Sequence, residues 1–133
     1  MNAFYNPKPN WTTPFRGLSV LVEEEPLIRM LWTERFQQCD ARLEVYENPL
    51  CFLADIARYT GCEEDVTFYF DQYFGAVRGV GTELARAVAG LNKSQNVCLV
   101  TGYDPSDFRR ELRDGLLQVV FDKYPIDIFE DED

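Results

Sequence analysis

Glu23, Glu24 and Glu25 stand in a row directly after the apolar run Leu18 to Val22, and Asp71 directly follows Val66 to Phe70. Thr101 closes the run Val97 to Val100, and Lys123 comes just past Leu116 to Phe121. Carboxylates clustered with neither imidazole nor thiolate make a hard, oxygen-only donor set, which suits Mg2+ better than zinc or copper. A carboxylate beside such a cation, with an ammonium and a hydroxyl able to reach the same oxygens, is an arrangement for accepting a phosphoryl group. The reaction class this suggests is transfer onto Asp71, with Thr101 and Lys123 as its partners. The chain contains no His, so imidazole general bases and Cys/His nucleophile pairs are excluded. Taken singly, each residue also has a structural reading. An acidic row favours a helix N-terminus, an Asp suits a turn, and most lysines lie on the surface.

The elements that must hold these residues are readable from periodicity. Leu18 to Val22, Val66 to Phe70 and Val97 to Val100 are short, nearly continuous apolar runs of the kind found in buried parallel strands. Leu43 to Tyr46 alternates, as a half-exposed edge strand does, and Leu116 to Phe121 completes a set of five. Between them lie helical patterns. Pro26 opens a helix with Leu27, Ile28, Leu31, Trp32 and Phe36, and Asn48-Pro49 opens a second through Phe52, Leu53 and Ile56. A glycine-punctuated loop leads to a third helical face at Leu84, Ala85, Val88 and Leu91, and Asp104-Pro105-Ser106-Asp107 is the N-terminal signature of a fourth. Strands alternating with helices at this spacing predict an α/β fold, a doubly wound parallel five-stranded sheet. Ligands in such sheets bind beyond the carboxyl ends of the strands, where the acidic row, Asp71, Thr101 and Lys123 are placed.

With 133 residues the chain fits one domain, and 46% hydrophobic and 14% aromatic residues predict a folded one. A net charge of −10 argues against a nucleic-acid partner. No apolar run reaches the roughly 20 residues of a membrane-spanning helix, and the N-terminus lacks the order of a signal peptide, so a cytoplasmic location is expected. The four cysteines form no CxxC pair; Cys51 and Cys98 lie in apolar runs and are expected to be small buried residues. Residues 1–15, with Pro7, Pro9 and Pro14 among Phe4, Tyr5, Trp11 and Phe15, read as an extended arm.

At this level the chain resembles the receiver domain of bacterial two-component response regulators. VLVEEEPLIR is similar to that family's apolar strand, acidic pair and helix start. FDQYFGAVRG resembles the loop after the phosphoacceptor with its glycine eight residues on, CLVTGYDPSD the switch threonine and its helix, and FDKYP the strand-end lysine. The resemblance implies the flavodoxin-like strand order 2-1-3-4-5 over residues 16–125, between the arm and an acidic tail, 126–133. It implies Asp71 as phosphoacceptor, Glu23 and Glu24 as the acidic pair that binds Mg2+, and the backbone carbonyl of Tyr73 as a further ligand. Thr101 and Lys123 are implied as the groups that meet the phosphoryl oxygens.

The departures are Glu24 where Asp is usual, Gly75 where Pro is usual, a longer loop between Gly79 and Glu83, Tyr124 between Lys123 and Pro125, and Val120 in place of the aromatic switch partner. A counterpart of the last helix is also missing, so this element is expected to be absent or replaced. Cover for the sheet face near the first and fifth strands is expected from the arm, from Ile126, Ile128 and Phe129 of the tail, or from a second copy in a homodimer. The implied function is that of a stand-alone phosphorelay receiver, not an enzyme with a diffusible substrate. A histidine kinase or phosphotransfer protein would be its donor and a downstream protein its target. The alternative is a receiver-shaped interaction module that works without phosphate. A Mg2+ phosphatase or nucleotide-binding enzyme is disfavoured, because no glycine-rich phosphate loop follows the first strand.

Overall fold

The computed structural model describes residues 4–5, 17–75, 77–91, 95–100, 108–117 and 119–121. Its strands are β1 (Phe4–Tyr5), β2 (Leu18–Val22), β3 (Arg42–Tyr46), β4 (Val66–Phe70), β5 (Tyr73–Phe74), β6 (Val77–Arg78), β7 (Gln95–Val100) and β8 (Val119–Phe121). The helices are α1 (Pro26–Gln38), α2 (Pro49–Ala54), α3 (Val80–Val88) and α4 (Arg109–Arg113), with a 3-10 turn at Ile56–Tyr59 after α2. Six strands form one sheet in the order β1-β8-β7-β4-β2-β3, and β5 pairs with β6 as a separate hairpin.

The five expected strands are β2, β3, β4, β7 and β8, all parallel, and their order β3-β2-β4-β7-β8 is the predicted 2-1-3-4-5. β2 and β4 are buried at every position, whereas β3 is half-buried at the sheet edge, so the difference between continuous and alternating hydrophobicity reports position in the sheet. The helix starts at Pro26 and Pro49 agree with the sequence. Asn48 accepts the Cys51 N–H at 2.8 Å, and Pro49 occupies the first helical position, where its missing N–H costs nothing.

Alternate side chains of the strands feed two cores. Val20, Val22, Phe68, Phe70, Val97 and Leu99 pack with Phe52, Tyr59, Leu84, Ala85 and Val88 under α2 and α3. Leu21, Tyr69, Cys98 and Val100 pack on the opposite face with Ile28, Trp32 and Phe36 of α1. Trp32 stacks on Phe36 at 5.9 Å and meets Tyr69 edge-on at 4.9 Å.

Four details differ from the sequence reading. The third helix begins at Val80, directly after Gly79, not at Leu84, and Leu91 lies beyond its end. No loop separates Gly79 from Glu83, because α3 spans that stretch; the connection before it holds the β5–β6 hairpin. Cys51 is exposed on α2, because its neighbour Phe52 takes the inward position, while Cys98 is buried. The arm contributes Phe4–Tyr5 to the sheet edge as an antiparallel partner of β8, with Phe4 opposite Val120 and Tyr5 opposite Val119. Over β2, β4 and β7 the interior positions of both faces are buried, so no bare apolar patch lies there. Among the described residues no helix is long and apolar enough to cross a membrane. The expected helix start at Asp104, and the tail residues, lie outside the described residues.

Candidate functional site

β2 and β4 are neighbours in parallel register, Val22 opposite Phe70. The next residue on each, Glu23 and Asp71, therefore leaves the sheet at the same level, and the Asp71 N–H donates to the Val22 carbonyl at 3.4 Å. Both residues are almost wholly buried, at 0% and 1% exposure. Acidic side chains buried on adjacent strand ends are poorly screened by water, and a cation bound there would offset their mutual repulsion. Oxygen is the only donor type they offer, which matches a hard divalent ion.

The acidic turn is held rigidly. One guanidinium nitrogen of Arg29, Nη1, donates to the carbonyls of Glu23 at 2.9 Å and Glu24 at 2.8 Å, bringing the first turns of α1 back onto the end of β2. The Glu25 N–H donates to Glu23 Oε2 at 2.8 Å, while Glu23 Oε1 is shielded from solvent, as is Asp71 Oδ2. Arg29 is a positioning residue that the sequence reading did not single out. The available signal was its position, one helical turn inside a helix that starts directly after an acidic row.

On the other side, Asp71 runs straight into the segment that builds the rim. Gln72 accepts the Thr82 N–H on Oε1 at 2.9 Å, and its backbone carbonyl accepts the Val80 N–H at 3.2 Å, so it closes the N-terminus of α3. Gly79 precedes that helix with φ +83°, a left-handed conformation that favours glycine. Gly81 sits so close to the strand end that a Cβ there would lie 2.7 Å from the Asp71 carbonyl and 2.5 Å from Leu99 Cδ1. Between these points Tyr73, whose carbonyl the resemblance names as a ligand, starts the β5–β6 hairpin opposite Arg78, and buried Phe74 anchors the hairpin in the core under α2 and α3.

The structure thus brings Glu23 and Asp71 together and sets Tyr73 two residues further on. It places Glu24 differently: exposed, with Oε1 accepting the Gly75 N–H at 2.6 Å, so that its carboxylate spans the rim toward the hairpin. In keeping with that orientation, no group of three or more Asp, Glu, Cys or His side chains is arranged around a metal position among the described residues. Glu25 is exposed at the N-cap of α1. Thr101 and Lys123 lie outside the described residues.

Compared by sequence, the chain matches no family model and no curated protein. Compared by structure, it is similar to the response regulator TrrA from Thermotoga maritima, solved in complex with Mg2+ and a beryllium fluoride. The TM-score is 0.64 and the identity 22%, over 86% of this chain and 94% of that one. The receiver domain of the histidine kinase CKI1 from Arabidopsis thaliana, complexed with Mg2+ and BeF3−, aligns with TM-score 0.61 and 15% identity over 82% and 83% of the two chains. The response regulator DrrB from Thermotoga maritima aligns with TM-score 0.54 and 18% identity over 74% of this chain and 42% of its own. The likeness is one of fold: with its parallel sheet ordered β3-β2-β4-β7-β8, the chain has the fold of a response-regulator receiver domain.

Proposed function

We propose that this chain is a phosphorelay receiver in which Asp71 accepts a phosphoryl group from a phosphohistidine on a histidine kinase or phosphotransfer protein, and that it signals to a downstream protein by contact. The observation that carries this reading is the register of β2 and β4, from whose adjacent ends two buried acidic residues, Glu23 and Asp71, follow directly. A carboxylate oxygen of Asp71 forms the new bond to phosphorus as the phosphorus–nitrogen bond of the donor breaks, and the electron pair of that bond stays on the imidazole nitrogen. Glu23 and Asp71 would hold Mg2+, joined by the Tyr73 carbonyl and by Glu24. Such an ion lowers the repulsion between the carboxylates and neutralises charge on the transferred oxygens. Thr101 and Lys123 are assigned to the phosphoryl oxygens from their places after β7 and β8. Arg29 and Gln72 keep the two strand ends fixed while the donor is bound. The chain is on this reading a signalling phosphoprotein, cytoplasmic like its donor.

Incubation with acetyl phosphate and Mg2+, followed by intact mass measurement, tests the proposal. One added phosphoryl group is expected in the wild type and none in Asp71→Asn. Equal modification of both proteins would remove Asp71 from the role. The second reading, an interaction module that needs no phosphate and pairs with a second copy or another partner, is favoured by one observation: the Glu24 carboxylate is engaged with Gly75. It predicts no mass addition and partner binding that is indifferent to Asp71→Asn.

A further inference from the structure

Across the rim of the site one bond joins residues 51 positions apart, from the Gly75 N–H to Glu24 Oε1 at 2.6 Å. Its acceptor is a carboxylate oxygen, and its length is short for an N–H···O bond. Its donor belongs to the turn between two strands of two residues each, a hairpin too short to be stable on its own. Gly75 adopts φ +60°, and space beside its Cα is open, so the turn conformation and the Glu24 contact set the direction of its N–H.

The other end of the bond is built differently. Arg29 holds the backbone carbonyls of both Glu23 and Glu24, so the base of the Glu24 side chain is fixed while its carboxylate is exposed and can change rotamer. That side chain has two alternative engagements: the hairpin N–H it holds, and a cation bound beside its sequence neighbour Glu23. A shorter acidic side chain at position 24, lacking one methylene, would lose about 1.5 Å of reach toward the hairpin.

We propose that Glu24 is a latch: with no cation in the site it pins the turn at Gly75, and on cation binding its carboxylate leaves the Gly75 N–H to join Glu23 and Asp71, freeing that turn while Phe74 keeps the base of the hairpin in the core. The inference rests on the Mg2+ site proposed above. Through it, occupancy of the site is passed to the turn between Phe74 and the exposed Val77. Gly75 is suited to this because it supplies the N–H that a proline at the same position would lack.

The test uses the full chain labelled with 15N, with and without saturating MgCl2. In the metal-free wild type the Gly75 amide proton is expected downfield and its exchange with solvent about tenfold slower than in Glu24→Ala. Mg2+ is expected to move that proton upfield and bring its exchange to the Glu24→Ala rate. Glu24→Asp should show fast Gly75 exchange in both conditions while its Asp71 and Gln72 amides still respond to Mg2+. If the Asp71 and Gln72 amides of the wild type respond while Gly75 exchange stays slow, Glu24 is a fixed strut; the latch is then overturned and the metal site stands. If no amide around Glu23 and Asp71 responds to Mg2+, the metal site fails and the latch fails with it.

Discussion

Gln72 Oε1 accepts the Thr82 N–H at 2.9 Å, so the residue directly after Asp71 caps the helix that follows it. This links the two ends of the intervening hairpin, and Thr82 Oγ1 adds a bond to the Gly79 carbonyl at 3.0 Å on the same turn. Gln72→Ala removes a cap of the kind that contributes about 1 kcal/mol. A fall of several degrees in Tm by circular dichroism is expected, together with slower phosphorylation of Asp71. An unchanged Tm would mean that water replaces the cap without loss.

Gly81→Ala separates two opposing effects. In a free helix the change would stabilise by roughly 0.5–1 kcal/mol. Here the new Cβ would stand 2.7 Å from the Asp71 carbonyl and 2.5 Å from Leu99 Cδ1, and the carbonyl belongs to backbone that cannot swing aside. Overpacking of this kind costs about 1–3 kcal/mol, so the clash outweighs the propensity gain. Urea titration should show lower stability, and the displaced Asp71 should accept phosphate more slowly. A stabilised variant would place α3 further from the strand end than described.

The phenols of Tyr46 and Tyr59, with the buried Cys98 thiol, make stability depend on alkaline pH. Burial, followed by the hydrogen bonds to Glu44 and Tyr46, holds the Tyr59 hydroxyl far above its ordinary range. Burial also raises Tyr46, whose hydroxyl lies 2.9 Å from that of Tyr59 and receives a bond from Arg58 at 3.0 Å. Tyr59 itself donates to Glu44 at 2.5 Å. A group raised in the folded state stabilises it in the protonated form. The contribution is complete below the unfolded value of 10.0 and is lost as pH rises toward the folded one. Stability should therefore fall as pH passes about 10, and ultraviolet difference spectra should show Tyr59 ionising only as the chain unfolds. Tyr59→Phe is expected to flatten that alkaline dependence.

Thiol reactivity should divide along burial. Cys39 and Cys51 are exposed, whereas Cys98 is fully enclosed and its thiol is pushed well up by burial. Ellman's reagent is expected to modify Cys39 and Cys51 rapidly in the native protein and Cys98 only in denaturant. Fast native labelling of Cys98 would show that the core under α1 opens readily.

Much of this fold is written in local pattern. Buried parallel strands read as unbroken apolar runs, so β2, β4 and β7 could be placed, and with them the neighbouring exits of Glu23 and Asp71. What could not be read depends on partners distant in the chain. The glycines at 79 and 81 suggested loop, but one serves as a left-handed cap and the other as a gap for the Asp71 carbonyl, both inside or against a helix. The Phe4–Tyr5 pairing is set by the free edge of β8, which nothing in residues 1–15 encodes. Which carboxylate of the acidic row turns toward Gly75 is a matter of rotamer, and a run of three glutamates carries no signal for it. Cys51 lies in an apolar run yet is exposed, because α2 is short and buries Phe52 alone.

The pairing of β1 with β8 also determines how the protein answers to tension. These strands lie nearest the two ends of the chain and run antiparallel, Phe4 beside Val120 and Tyr5 beside Val119. A force applied through the termini therefore enters both strands from the same side and opens their hydrogen bonds one after another, as a zipper does. The parallel pairs within the sheet would have to break many bonds at once in shear. Stretched end to end, the molecule should give way first at this outer seam, at low load, leaving β3-β2-β4-β7 and the acidic edge intact until a second, higher peak.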